Sequence, residues 1–249
     1  MRVRSNTIFI TGGGSGIGRG LAEAFHQLGN RVVIGGRREH VLKAACDANA
    51  GMSYVVVDVA SADSIRAAAR RVVSEFPELN CIINNAGLQR PHDFSVSGGV
   101  DDAAVSEEIE TNLLGVVRVC SAFLPHLLGR TEATLVNVSS GLAFVPLARV
   151  PVYCATKAAV HSFCVSLRHQ LRRSPVSVIE LIPPWVDTDL TPGPRPRGGR
   201  QPMPLPQFIA EAIEGLAGDA VEIPVGDAKS LYAAAGSGAF AQVFSRMNP

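Results

Sequence analysis

Tyr153 and Lys157 stand four residues apart in the stretch YCATK, inside a helical pattern, so both side chains leave the same face. The chain holds only three tyrosines and three lysines, and random placement would give such a pair about 0.04 times. An ammonium beside a phenol favours the phenolate. It is expected to bring the tyrosine pKa down from its ordinary value of about 10 toward the working range. Such a phenol can act as acid or base at a carbonyl or alcohol oxygen.

A second chemistry lies at residues 11–18, TGGGSGIG, directly after a strand pattern and at the opening of a helix. Gly12 permits the tight turn, Gly16 lets backbone approach a pyrophosphate, and Gly18 lets helix pack on strand. The G-x-x-x-G-x-G spacing is a relative of the dinucleotide fingerprint rather than a copy of it. Beyond it, at the end of the second strand, an acid would hold the ribose 2′-hydroxyl of NAD. Gly36 stands there instead, followed by Arg37 and Arg38. A small neutral residue beside a guanidinium admits a 2′-phosphate. NADP(H) is therefore expected over NAD(H), with Arg37 the main contact and Arg38 stacking or assisting.

These groups need elements to hold them. Strand patterns fall at Thr7–Thr11, Arg31–Gly35, Ser53–Val57, Asn80–Asn84, Thr134–Ser139 and Val176–Ile182, with a weaker one at Val221–Val225. Helical patterns fall near Gly16–Leu28, Glu39–Asn49, Ser61–Phe76, Asp101–Leu128, Val152–Arg173 and Pro206–Leu216. Several strands are apolar on both faces, which suits a parallel sheet covered on each side. The alternation predicts an α/β fold: a single doubly wound Rossmann-type parallel sheet with helices on both faces, residues 1–249 forming one domain. The stretch Pro183–Pro206 interrupts it with eight of the sixteen prolines. It is expected to be irregular, with a substrate lid at about 187–206. After Ala233 come an AAAGSG break and a short apolar helix or turn.

Composition narrows the function. The chain has 249 residues, 47% apolar and 18% charged, enough to bury a large core and too apolar for disorder. A net charge of +1 argues against a nucleic-acid binder or an acidic-membrane binder. Five cysteines without a CxxC pair point to reduced thiols, no zinc ribbon and a cytoplasmic protein. No apolar run approaches a membrane span or a signal-peptide core. His161 and His169 share a helix without an evident third ligand, so no metal is expected.

Further pieces complete the pattern: VNVSS at 136–140 ends the fifth strand, with Ser140 thirteen residues before Tyr153, NNAG at 84–87 ends the fourth, and Asn112 sits in ETNLLG. Together these resemble the short-chain dehydrogenase/reductase family in its form of about 250 residues, from about Thr7 to Thr188. The resemblance implies that Tyr153 donates or accepts the proton, while Lys157 lowers its pKa and holds the nicotinamide ribose. Ser140 would hydrogen-bond the reacting oxygen, and Asn112 would support a water-linked proton relay. Ser15, Ile17, Asn85, Ala86 and Gly87 would line the cofactor, with Asp58 and Val59 at its adenine end. Pro183, Val186 and Thr188 would meet its nicotinamide end.

The family's usual glycine after the sixth strand is replaced by Pro184, and the usual glycine-rich C-terminal segment by EIPVGDAKSLYAAAGSG. A homodimer is expected, through the Asp101–Leu128 and Val152–Arg173 helices. Trp185 and His92 are the substrate-side candidates. The implied function is hydride exchange between NADP(H) and a small carbonyl or alcohol. The alternatives are an NADP(H) sensor without turnover, or an epimerase or dehydratase that keeps its nicotinamide.

Overall fold

The computed structural model describes residues 1–190 and 201–248. Seven parallel strands form one sheet in the order β3-β2-β1-β4-β5-β6-β7. They are β1 (Thr7–Thr11), β2 (Arg31–Gly36), β3 (Ser53–Val56), β4 (Cys81–Asn84), β5 (Ala133–Val138), β6 (Val176–Ile182) and β7 (Glu222–Pro224). The order reverses between β1 and β4, which opens a crevice above the carboxyl ends of the strands.

Period-2 alternation sends successive residues to opposite faces. Phe9, Val33, Ile82, Leu135 and Val178 meet α3 (Ala62–Glu75), α5 (Gly115–Leu128) and α6 (Pro151–Leu171). Ile8, Ile10, Val32, Ile34, Ile83 and Val136 meet α1 (Gly16–Gln27), α2 (Glu39–Asp47) and α7 (Leu205–Ala217). The doubly wound α/β expectation holds, with boundaries displaced by one to two residues at most ends.

The helix predicted over Asp101–Leu128 is interrupted. α4 (Asp102–Ile109) starts where the Asp101 carboxylate accepts from the backbone N–H of Ala103 at 3.0 Å and Ala104 at 3.3 Å. A π-turn, Glu110–Leu114, then inserts before α5. Such turns widen a helix locally and recur at functional sites; this one carries Asn112. Joined together, Asp102–Leu128 is long enough for a membrane span, and an 18-residue window within it reaches a mean hydropathy of 1.3. Its Val116, Val119, Cys120, Phe123 and Leu127 nevertheless lie in the core against the sheet.

The segment after the last strand forms α8 (Ala228–Ala235) and α9 (Phe240–Met247). Val243, Phe244 and Met247 of α9 pack on Val145 and Leu231. Asn248 accepts from Ala148 N–H at 2.6 Å and donates to Pro146 O at 3.1 Å. The C-terminus thus fastens the loop that leads from β5 to α6. Of the expected lid, residues 191–200 lie outside the described residues. Val186, just before the expected lid, forms a parallel bridge with Met203 within it.

Candidate active site

The glycine loop is built by contacts too close for side chains. Gly12 and Gly16 take φ of +67° and +52°, which favours glycine. A Cβ at Gly18 would lie 2.3 Å from Gly12 O, so this glycine is needed to bring α1 against the loop. Asn85 locks the other side. Its side-chain amide donates to Thr11 O at 3.1 Å and Gly12 O at 3.3 Å. The N–H groups of Asn85 and Ala86 both donate to Thr11 Oγ1. Across the crevice, a Cβ on Gly16 would touch Thr188 at 3.4 Å. Gly12, Gly16, Gly18, Asn85, Ala86 and Thr188 therefore converge on one cleft, an open-backed cradle that fits a dinucleotide pyrophosphate. Ser15 stands at the N-cap position of α1 without a capping side-chain bond, and Ile17 lies in the first turn.

Beside this cleft the end of β5 meets α6. Tyr153, Lys157 and Ser140 are 6%, 3% and 6% exposed. Lys157 Nζ donates to Val138 O at 2.8 Å and lies 5.7 Å above the centroid of the Tyr153 ring. Ser140 Oγ accepts from Leu142 N–H at 3.1 Å and caps the 3-10 turn Gly141–Ala143. Pro183 O accepts from Gly141 N–H, which ties the end of β6 to the same turn.

The electrostatics differ from the sequence expectation. Burial pushes the Tyr153 phenol well above the ordinary tyrosine range, opposed by its hydrogen bond with Ser140, while Cys154 and the nearby Glu108 carboxylate push it further up. The same burial brings Lys157 down to about 8. Desolvation dominates both shifts, because each charged form loses water on burial. Only the Ser140 partner acts in the predicted direction.

Asn112 faces this pair. A Cβ on Gly87 would lie 3.3 Å from Asn112 Oδ1 and 3.7 Å from Lys157 Nζ, so the three are gathered at one point. The Asn112 carboxamide accepts from Leu88 N–H and donates to Leu88 O, both at 2.8 Å, and donates to Thr156 Oγ1 at 3.2 Å. Its side chain is spent on holding the loop after β4. One turn earlier, Glu108 holds the same loop, accepting from Arg90 N–H at 3.2 Å and lying 2.9 Å from His92 Nε2. His92, a candidate substrate contact, is thus buried in a carboxylate–imidazole pair. Trp185 is half-buried in the stem of the expected lid, its O accepting from Met203 N–H at 2.8 Å.

At the adenosine end, Asp58 turns its carboxylate back to Ala60 N–H at 3.0 Å, and Val59 is buried against Gly115. Arg38 Nη2 donates to Ser15 Oγ at 3.2 Å, over the glycine loop. Arg37 pairs with Glu107 of α4 at 3.2 Å. A Cβ at Gly36 would meet Leu42 at an ordinary 3.5 Å, so packing does not demand glycine there.

Sequence reasoning missed a polar row beneath the site. Asn84, Asn137, Glu180 and Glu222 stand side by side across β4, β5, β6 and β7. Asn84 donates to Asn137 Oδ1 at 2.8 Å, and Asn137 donates to Cys164 Sγ at 3.3 Å. Fully buried Glu180 lies 2.7 Å from His161 Nδ1, and Glu222 accepts from Arg168 at 3.0 Å and Tyr232 at 2.6 Å. Polar residues inside strands that are otherwise apolar on both faces were the available signal. His161, Glu180 and Glu222 also bring three metal-ligating groups within 4.8 Å. The carboxylates missing from the helix come from strands. All five cysteines are free, and burial raises Cys81, Cys120 and Cys164 to about 12, so these are neutral thiols.

Comparison with known proteins places these features in context. The family model described as short chain dehydrogenase matches residues 6–197. The uncharacterized oxidoreductase DltE of Bacillus subtilis is 42% identical over 219 residues, covering 87% of this chain and 86% of that protein. A short chain dehydrogenase from Burkholderia cenocepacia, solved with NADP, superposes with a TM-score of 0.84 at 26% identity, covering 99% of both chains. A 3-ketoacyl-(acyl-carrier-protein) reductase from Brucella melitensis, solved with NADH, gives 0.72 at 26% identity, covering 76% of this chain and 79% of that one.

Proposed function

The chain belongs to the short-chain dehydrogenase family, an oxidoreductase with a nicotinamide cleft, and on that premise we propose that it interconverts a small carbonyl and its alcohol, with NADP(H) preferred over NAD(H). The observation that carries this reading is the buried gathering of Ser140, Tyr153 and Lys157 at the carboxyl end of β5, beside the glycine loop. When bound, the nicotinamide exchanges a hydride with the carbonyl carbon. Every other task falls to the protein.

Tyr153 hands a proton to the developing alkoxide, or takes one from the alcohol. Its raised pKa makes the neutral phenol the resting form, suited to the acid of the reducing direction. Ser140 holds the reacting oxygen. Lys157, anchored on Val138 O and lying over the Tyr153 ring, holds the nicotinamide ribose hydroxyls beside the phenol. Arg37 and Arg38 grip the 2′-phosphate, since no acid stands at position 36 to repel it. Solved relatives hold either form, NADP in the Burkholderia protein and NADH in the Brucella one, so the choice rests on position 36 and the two arginines after it. A second copy of the chain docks across α4 and α6, where Phe94, Val105, Ile109, Val152 and Ala155 line an apolar groove of about 370 Å³. The five free thiols suit the reducing cytoplasm.

Tyr153→Phe tests the reading. NADPH binding, followed by nicotinamide fluorescence, should stay within about twofold, while turnover of an aldehyde and ketone panel falls by about 10²–10⁴-fold. Turnover near the wild-type level would overturn it.

A further inference from the structure

Arg37 is not idle at the mouth of the cleft. Its Nη1 lies 3.2 Å from Glu107 Oε1, with the two side chains 52% and 37% exposed. The carboxylate is pinned from its other side, Oε2 lying 2.5 Å from Arg90 Nη2. Arg90 is itself anchored, donating from Nη1 to Ala104 O at 3.2 Å and from its backbone N–H to Glu108 at 3.2 Å. Glu107 is therefore held by Arg90 as well as by Arg37. Hydrogen bonds from Arg90 and then Arg37 hold its carboxyl below the usual glutamate range, so it stays an anion at neutral pH. The neighbouring Arg38 instead rests on the neutral Ser15 hydroxyl.

We propose that Glu107 sets how strongly the protein prefers the phosphorylated dinucleotide, by competing with the 2′-phosphate for Arg37. This rests on the reading that Arg37 faces that phosphate. A phosphate settling between Arg37 and Arg38 must share the first guanidinium with a fixed carboxylate and bear its repulsion. NADH lacks the phosphate and meets neither effect. For a partly exposed pair in high dielectric the cost is modest, about three- to tenfold in affinity, and salt reduces it. Glu107 so keeps the grip on NADP(H) short of its maximum, which favours exchange of spent cofactor.

The test measures dissociation constants for NADPH, NADH and 2′,5′-ADP on the whole protein, using wild type, Glu107→Gln, Arg37→Ala and the double variant. Glutamine keeps the length and an acceptor for Arg90, and melting curves check the fold. Glu107→Gln should tighten NADPH and 2′,5′-ADP about three- to tenfold and leave NADH within about twofold. Most of that gain should vanish in the Arg37→Ala background and at 1 M salt. Unchanged NADPH affinity, or weakening of NADPH alone or of both dinucleotides, would overturn the proposal. Failure of the underlying reading looks different: wild type without NADPH preference, and Arg37→Ala without effect on 2′,5′-ADP.

Discussion

Lys157→Met should make the protein more stable and inactive at once. Lys157 is fully enclosed, and burial brings its pKa from the ordinary 10.5 to about 8. That drop corresponds to about 3 kcal/mol by which the native state is penalised while the ammonium stays charged. Methionine fills similar space without charge but strips Val138 O of its 2.8 Å partner, a loss of about 1–2 kcal/mol. The net gain at pH 7 is about 1–2 kcal/mol, or about 2–4 °C of melting temperature for each kcal/mol in a chain of this size.

The pH dependence gives the sharper check. Below pH 8 lysine is charged in both states and the whole penalty is present. Between about 8 and 10.5 the native state releases its proton while the unfolded chain keeps one, so wild-type stability rises with pH. The advantage of Lys157→Met should therefore be greatest near pH 7 and fade by about pH 10.5. Tyr153, raised by burial, acts oppositely at high pH. There the unfolded phenol ionises first and stability falls, but in both proteins alike. Urea unfolding at pH 7, 8.5 and 10 measures the difference. A variant less stable than wild type at pH 7, or a gap independent of pH, would refute the balance of desolvation over attraction.

Other sites give equally direct readings. Gly36→Asp should fold normally, since the added Cβ finds only an ordinary 3.5 Å contact. It should weaken NADPH about tenfold or more and strengthen NADH, because a carboxylate replaces open space beside the ribose; an unmoved ratio of the two affinities would count against the 2′-phosphate reading. Gly18→Ala places a methyl 2.3 Å from the Gly12 carbonyl oxygen. The loop must yield, at about 1–3 kcal/mol of stability, and titration should find both dinucleotides bound at least about tenfold more weakly.

The strands and most helices were legible because each carries its own period. Ile8, Phe9 and Ile10 each bury on alternate faces of a sheet covered twice, and the chain says so locally. Tyr153 and Lys157 were legible through helical spacing, and the glycine loop through glycines that backbone contact demands. Glu107 was not. It lies seventy residues from Arg37 and nothing in DAAVSEEI marks it. Nor was the row from Asn84 to Glu222, whose members come from four strands and meet only through register.

Local periodicity and backbone conformation thus determined from sequence which elements form and which residue types gather at the strand ends. Tertiary structure alone decided the charge states there. A pKa depends on how much water surrounds a group and which distant charges face it, and the enclosure that reversed the expected shift of Tyr153 is assembled from α6 and from Leu142 and Leu147 of the segment after β5, with the Glu108 carboxylate of α4 acting on it from a distance. Side chains so far apart in the chain exert no force on one another until the sheet has brought them together.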